Sequence, residues 1–146
     1  MLPRKYRIHA LLLGVALLII FIPLFNKRPP ADKAAAASVA ATRFLQEVDA
    51  DRFAESWRLV APPTQTKFAQ QNWTDGLQKI RSVTGPLLQR SEVKMTVSIP
   101  DKDSPKGEYI VITYDSRYQN RADASEVVTV MRSPDGIWRV AGYYVK

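Results

Sequence analysis

The sequence predicts an α+β domain in which the helices come first and the strands follow. Apolar residues recur at helical spacing up to Ile80, and from Leu87 onward they alternate with polar residues as in β-strands. Short polar turns separate four strand-like segments, so consecutive strands are expected to pair as an antiparallel meander. Because helices and strands are segregated along the chain, we expect the helices to cover one face of a single sheet.

The composition excludes several classes of site. The chain of 146 residues has the size of one domain and contains no cysteine, which rules out disulfides, thiolate nucleophiles, iron–sulfur ligation and a lipoprotein anchor. His9 is the only histidine, so neither a histidine-based catalytic triad nor a histidine-rich metal site can form in the body of the chain. Catalytic residues, metal ligands and cofactors are therefore not predicted.

The basic excess of the chain surrounds its most apolar segment. The net charge is +7, and residues 1–33 hold six basic residues against one acidic residue. Residues 34–146 hold 15 basic and 13 acidic residues, so the predicted folded part is nearly balanced. Proteins that bind nucleic acids concentrate cations on their folded surface, and a nucleic-acid partner is therefore not predicted.

Residues 8–25 (IHALLLGVALLIIFIPLF) are predicted to form a membrane-spanning helix, since about 1.5 Å per residue gives about 27 Å, close to the bilayer core. A cleaved signal peptide competes with a retained signal anchor. Signal peptidases cleave at small residues soon after the apolar segment. Here two cations and two prolines come before the first small-residue cluster, at Ala34–Ala37, and this favours the retained anchor. The short basic tail, residues 1–7, favours an N-terminus inside and a body outside. In a bacterium, this is an inner-membrane protein whose folded domain faces the periplasm.

The folded body is predicted to span residues 34–146, after a stiff connector at residues 26–33 that contains Pro29-Pro30. We expect about three helices, with Asn72 as the N-cap of the last and Gly85 at its end. In the first strand, four apolar residues alternate with polar residues and are predicted to be buried. The helical patterns cover residues 37–48, 53–60, 62–69 and 73–84; the first strand has Val93, Met95, Val97 and Ile99, and residues 109–118, 124–132 and 137–145 form the others.

Segments of both halves resemble the uncharacterised bacterial family known as domain of unknown function 4019. The strand segments are GEYIVITYDSRY (107–118) and DGIWRVAGYYV (135–145), and the helical ones are AESW (54–57) and WTDGLQKIRSVTG (73–85). The resemblance covers about residues 34–146. It implies a cone-shaped fold similar to nuclear transport factor 2 and to cystatin-like folds, in which helices close a curved sheet around a pocket. It implies no activity, because the function of the family is unknown.

Six residues near strand ends are candidates for contact with a ligand or a protein partner. If the strands are regular, Asp115 and Arg117 share one face and Tyr118 lies on the other. Tyr143 and Tyr144 point to opposite faces. A structural interpretation competes: the aspartate can cap a turn, the arginine can pair with it or with a neighbouring strand, and the aromatic residues can fill the core. The six are Asp115, Arg117, Tyr118, Trp138, Tyr143 and Tyr144.

These observations favour a membrane-anchored, non-catalytic protein–protein interaction module, either an accessory subunit or an assembly factor of a larger membrane complex. The anchor, the small size and the lack of the usual nucleophiles and metal ligands support this hypothesis. The alternative is a small-molecule-binding or enzymatic domain that uses the cone pocket, with Asp115, Tyr114 or Tyr143 as its polar group. A third hypothesis is binding of an extended peptide or a cell-wall fragment along an open sheet edge.

Overall fold

The computed structural model describes residues 27–146, and within this range four helices precede a four-stranded antiparallel sheet. The strands pair in chain order, so the predicted α+β class and the meander are confirmed. The helices are α1 (Ala31–Asp49), α2 (Phe53–Trp57), α3 (Pro62–Lys67) and α4 (Gln70–Thr84); the strands are β1 (Leu87–Ser98), β2 (Glu108–Tyr118), β3 (Arg121–Arg132) and β4 (Trp138–Val145).

The main core lies between the helices and one face of the sheet, which we call the inner face. Helix α1 buries one stripe of apolar residues against this face, as its helical periodicity predicts. The ring of Phe44 in this stripe meets Tyr143 of β4 edge-on at 5.2 Å and Trp73 of α4 at 6.0 Å, measured between ring centroids. Strand β2 contributes Ile110 and Ile112, both almost fully buried.

The opposite, outer face is covered at one corner by the chain around α3. Before this helix, Ala61 donates its N–H to the carbonyl of Val140 on the edge of β4, at 2.7 Å. The hydroxyl of Thr64 donates to the carbonyl of Ala141 at 2.9 Å. A small second apolar cluster results, in which Ala61 packs with Tyr109, Met131 and Ala141.

Helix α4 begins three residues earlier than the prediction that placed Asn72 at its N-cap. The N-cap is Ala69, whose backbone is extended and whose side chain makes no capping hydrogen bond, so the prediction for Asn72 was wrong. The predicted end at Gly85 is confirmed. Its φ of +71° favours glycine, and a Cβ there would lie 2.9 Å from Nδ2 of Asn120 in the β2–β3 turn.

Strand β1 departs from the predicted pattern because a β-bulge interrupts it at Val93, between Glu92 and Lys94. A bulge adds one residue to a strand and so reverses the order in which side chains face the core. Val93 is therefore 53% exposed, whereas Met95 is buried as predicted. Ile99 is also 53% exposed, because it lies beyond the end of the strand. The prediction of burial was wrong for Val93 and Ile99.

The segment predicted as a connector, residues 26–33, is in part packed against the domain. Helix α1 begins at Ala31, so residues 31–33 of that connector are helical. Pro29 is buried, and the carbonyl of Lys27 accepts a hydrogen bond from the N–H of Val97 at 2.9 Å. The predicted tail and span, residues 1–25, lie outside the described residues. Among residues 27–146, no helix is long and apolar enough to cross a membrane.

Candidate functional site

A buried ionic network lies on the inner face, centred on Glu126 of β3. The side chain of Glu126 is fully buried, and Arg90 of β1 donates to it through Nε at 2.5 Å and Nη2 at 3.0 Å. Three hydroxyls complete the set: Ser116 Oγ at 2.8 Å, Tyr118 OH at 2.8 Å and Tyr143 OH at 2.6 Å. With five donors on two oxygens, the carboxylate is fully hydrogen-bonded, as a buried charge requires.

Arg90 connects this carboxylate to helix α1. Its Nη1 and Nη2 donate to the two carboxylate oxygens of Asp49, the last residue of α1, at 2.7 and 3.0 Å. The guanidinium also lies 6.0 Å from the centre of the Tyr114 ring. One arginine therefore holds two carboxylates and joins the end of α1 to β1 and β3. We call Asp49, Arg90, Glu126 and the three hydroxyl residues the inner network.

Three groups of the inner network, Glu126, Tyr118 and Tyr143, have pKa values displaced from their ordinary range. Burial raises the pKa of Glu126, but the hydrogen bonds and the charge of Arg90 outweigh it, and with the Tyr143 and Ser116 hydroxyls they lower the pKa below its usual value. Burial, followed by the charge of Glu126, raises the pKa of Tyr118 to about 12 and that of Tyr143 well above 10.0. Because none of these pKa values lies near neutrality, the three groups are poorly suited to general acid–base catalysis.

The cavity that the described residues form beside this network is small. A cavity of about 10 Å³ lies between α1, α4 and the Tyr118 and Tyr143 side chains. This is about the space that one water molecule occupies, whereas small-molecule sites measure about 300–1,000 Å³. Among residues 27–146, the cavity beside Tyr118 and Tyr143 is therefore too small for a small-molecule ligand.

A second polar region, which we call the outer groove, lies on the outer face at the end of the sheet that carries the β2–β3 turn. It is an open cleft of about 690 Å³ that five charged side chains line: Asp115, Arg117, Arg121, Asp123 and Lys146. Within residues 27–146, none of the five side chains forms an ion pair or a hydrogen bond with another residue.

The six predicted site residues separate into three places. Asp115 and Arg117 share the outer groove, and within residues 27–146 neither forms the turn cap or the ion pair of the structural interpretation. Tyr118 and Tyr143 meet in the inner network, and Tyr144 is half-buried on the other face, so the predicted alternation of faces is confirmed. Trp138 packs against the main core at the other end of the sheet. Contact of the six with a ligand or partner stays a prediction.

Sequence analysis missed the charged members of the inner network: Asp49, Arg90 and Glu126. A signal for Glu126 was present, because Ala124, Glu126, Val128 and Val130 alternate along β3 and the three apolar ones are buried. A carboxylate at a core position of a strand indicates a buried partner. That the partner is Arg90, 36 residues away, depends on the sheet register.

A comparison with protein families assigns most of the chain to one family. Residues 40–143 match the family described as Protein of unknown function (DUF4019). The chain belongs to this family. The resemblance stated from the strand and helix segments is thus confirmed, and the match gives no activity. No curated protein matches the chain.

A solved structure extends the comparison to the fold. Aln2 from a Streptomyces species is similar over 82% of this chain and 93% of its own, with a TM-score of 0.52 and 14% sequence identity. Aln2 has a fold like that of nuclear transport factor 2, so the fold that the resemblance implied is confirmed. At this identity, the likeness concerns the fold alone.

Proposed function

We propose that this protein is a membrane-anchored, non-catalytic interaction module that serves a larger membrane complex as an accessory subunit or assembly factor. The observation that supports it most is the contrast between its two polar regions. The inner network is closed and internally paired, whereas the charges of the outer groove have no partner within the described residues. Unpaired charges in an open cleft are available to a second molecule.

The cone-pocket alternative has less support. A ligand pocket on the inner face would require an opening many times larger than the cavity of about 10 Å³ beside Tyr118 and Tyr143. If that opening separated Arg90 from Glu126, a carboxylate would remain buried without its counter-charge, at a cost of about 3–5 kcal/mol. Such a pocket would therefore oppose the contacts that stabilise the fold.

The anchor is part of the proposal. Residues 8–25 span the inner membrane once, with the basic tail inside and the folded domain in the periplasm. This arrangement is supported by the uncharged apolar run and by the cations on both sides of it. A domain on a single anchor stays close to other membrane proteins, and this raises its effective concentration for a partner in the same membrane.

The outer groove is the proposed contact for the partner. Arg117, Arg121 and Lys146 bring three cations to its lining, and Asp115 and Asp123 bring two acids. A surface of mixed charge recognises a partner by matching signs at each position, so reversing charges in the groove should prevent binding.

The test is affinity purification of the tagged full-length protein in mild detergent, followed by native-gel sizing and identification of co-migrating proteins. We expect a defined larger complex that is lost when Arg117 and Arg121 are both changed to Glu, with thermal unfolding unchanged. The matched control changes Arg43 and Arg58, exposed arginines outside the groove, to Glu and should keep the complex. A wild-type protein that migrates alone, or a groove variant that keeps every partner, would overturn the proposal.

A further inference from the structure

The end of the sheet where the chain enters the domain lies next to the proposed span. The hydrogen bond from the Val97 N–H to the Lys27 carbonyl, at 2.9 Å, attaches the entering chain to the end of β1. Pro29, two residues later, is buried, and α1 begins at Ala31. The entering chain is therefore packed against the domain from Lys27 onward, rather than being a free stalk.

The distances leave little room between this end and the bilayer. The predicted span ends at Phe25, and an extended chain covers at most about 3.6 Å per residue, so Lys27 lies within about 7 Å of that end. The headgroup layer on each side of the hydrocarbon core is about 5–8 Å deep. Lys27 and the end of β1 beside it are consequently within reach of the lipid headgroups.

The same end of the sheet exposes apolar side chains. The pairs Ser98↔Tyr109, Glu108↔Arg132 and Arg132↔Trp138 place the β1–β2 loop and the β3–β4 turn together at this end. Ile99, at the start of the loop, is 53% exposed, and Ile137, in the turn, is 52% exposed. Exposed isoleucines beside a membrane can enter the boundary between headgroups and acyl chains, which buries their apolar surface.

The charges of this end also fit an anionic lipid surface. Lys102 and Lys106 are exposed in the β1–β2 loop and form no ion pair within residues 27–146. Asp101 and Asp103 of the same loop balance these two lysines, and the exposed Lys27 and Arg28 of the entering chain add two further cations to this end. Lysines near a membrane surface interact favourably with anionic headgroups.

We propose that this end, which we call the basal surface (Ile99, Lys102, Lys106 and Ile137), rests on the lipid surface of the membrane that holds the anchor. The inference rests on the proposed anchor at residues 8–25. It fixes the orientation of the domain, because the outer groove lies at the opposite end of strands about 35 Å long. The groove then faces away from the bilayer, toward the periplasmic part of a partner.

The cysteine-free sequence permits a direct test with single-cysteine variants of the full-length protein. Ile99→Cys and Ile137→Cys probe the basal surface. Leu88→Cys, an exposed apolar residue at the other end of β1, and Gln119→Cys, in the β2–β3 turn, are their matched controls. Each variant is labelled with an environment-sensitive fluorophore and reconstituted into vesicles of phosphatidylethanolamine and phosphatidylglycerol, with nitroxide lipids as quenchers.

We expect blue-shifted emission and quenching by nitroxide lipids at positions 99 and 137, and neither at positions 88 and 119. Equal quenching at both ends, or stronger quenching at positions 88 and 119, in protein that resists carbonate extraction would overturn the orientation and leave the anchor intact. Release of the unlabelled protein by carbonate would overturn the anchor and the orientation together. The two failures are therefore distinguishable.

Discussion

The two faces of the sheet use charge in opposite ways, although neighbouring residues belong to different faces. Ser116 donates to the buried carboxylate of Glu126, whereas Arg117, the next residue, lies in the outer groove without a partner among the described residues. Tyr143 and Tyr144 differ in the same way. The charges of the inner network are paired by the fold itself, whereas those of the outer groove have no partner among the described residues.

The inner network also connects helices to strands. Arg90 holds Asp49 at the end of α1, and Arg81 of α4 donates through Nη2 to the carbonyls of Val48 and Asp49 at 2.8 and 3.1 Å. The last carbonyls of a helix lack partners within the helix, and cations there are favourable. Two arginines from different elements thus stabilise one helix end and fix its position over the sheet.

The largest effect is expected when the inner network loses its cation. Arg90→Met leaves Glu126 buried without its counter-charge and should lower the free energy of unfolding by about 3–5 kcal/mol. Arg117→Met, the same change on the outer face, should stay within about 0.5 kcal/mol of wild type. Urea unfolding in mild detergent measures both through tryptophan fluorescence, because Trp57, Trp73 and Trp138, the three tryptophans, lie in the described domain. Equal losses would contradict the contrast between the two faces.

A smaller effect should follow the removal of a single hydroxyl. Tyr143→Phe deletes the hydroxyl that donates to Glu126 at 2.6 Å and should cost about 1.5–3 kcal/mol, the usual range for a hydrogen bond to a charged group. Tyr144→Phe makes the same change one residue away on the outer face and should be nearly neutral. The same unfolding measurement decides it, and a comparable loss in Tyr144→Phe would show that the two faces do not differ in this respect.

The smallest effect is expected at acidic pH, in the slope of stability against pH. Because the pKa of folded Glu126 is lowered, its contribution is fully present above the unfolded value of about 4.3 and is lost as the pH falls toward the folded value. Wild-type stability should therefore decline below about pH 5, and Glu126→Gln should flatten this part of the decline.

The control for this pH profile is Tyr144→Phe on the outer face, which removes no carboxylate and should keep the wild-type slope. If Glu126→Gln does not fold, Tyr143→Phe serves instead, since it removes one of the donors that lower the pKa of Glu126. An unchanged slope in the inner-face variant would show that Glu126 titrates as an ordinary carboxylate.

Much of the fold could be predicted because its local patterns are regular. The stripe of α1, the end of α4 at Gly85 and the four strands all follow from periodicity and from glycine or proline at the breaks. The start of α4 and the bulge at Val93 were missed, because neither leaves a distinctive local pattern. For the site, the sequence predicted that Asp115 and Tyr118 lie on opposite faces of the sheet. It did not predict that Arg90 pairs with a buried carboxylate.

By itself, the sequence determined the class of the domain, its family and the near balance of its folded charge, since these depend on composition and on contacts close along the chain. Only the tertiary structure decided which charges are buried and which are open. Arg90 and Glu126 lie 36 residues apart, and they meet because three strands align in one register. A buried charge is stable only beside its counter-charge, so this register determines that Glu126 is stabilised inside while Arg117 remains outside.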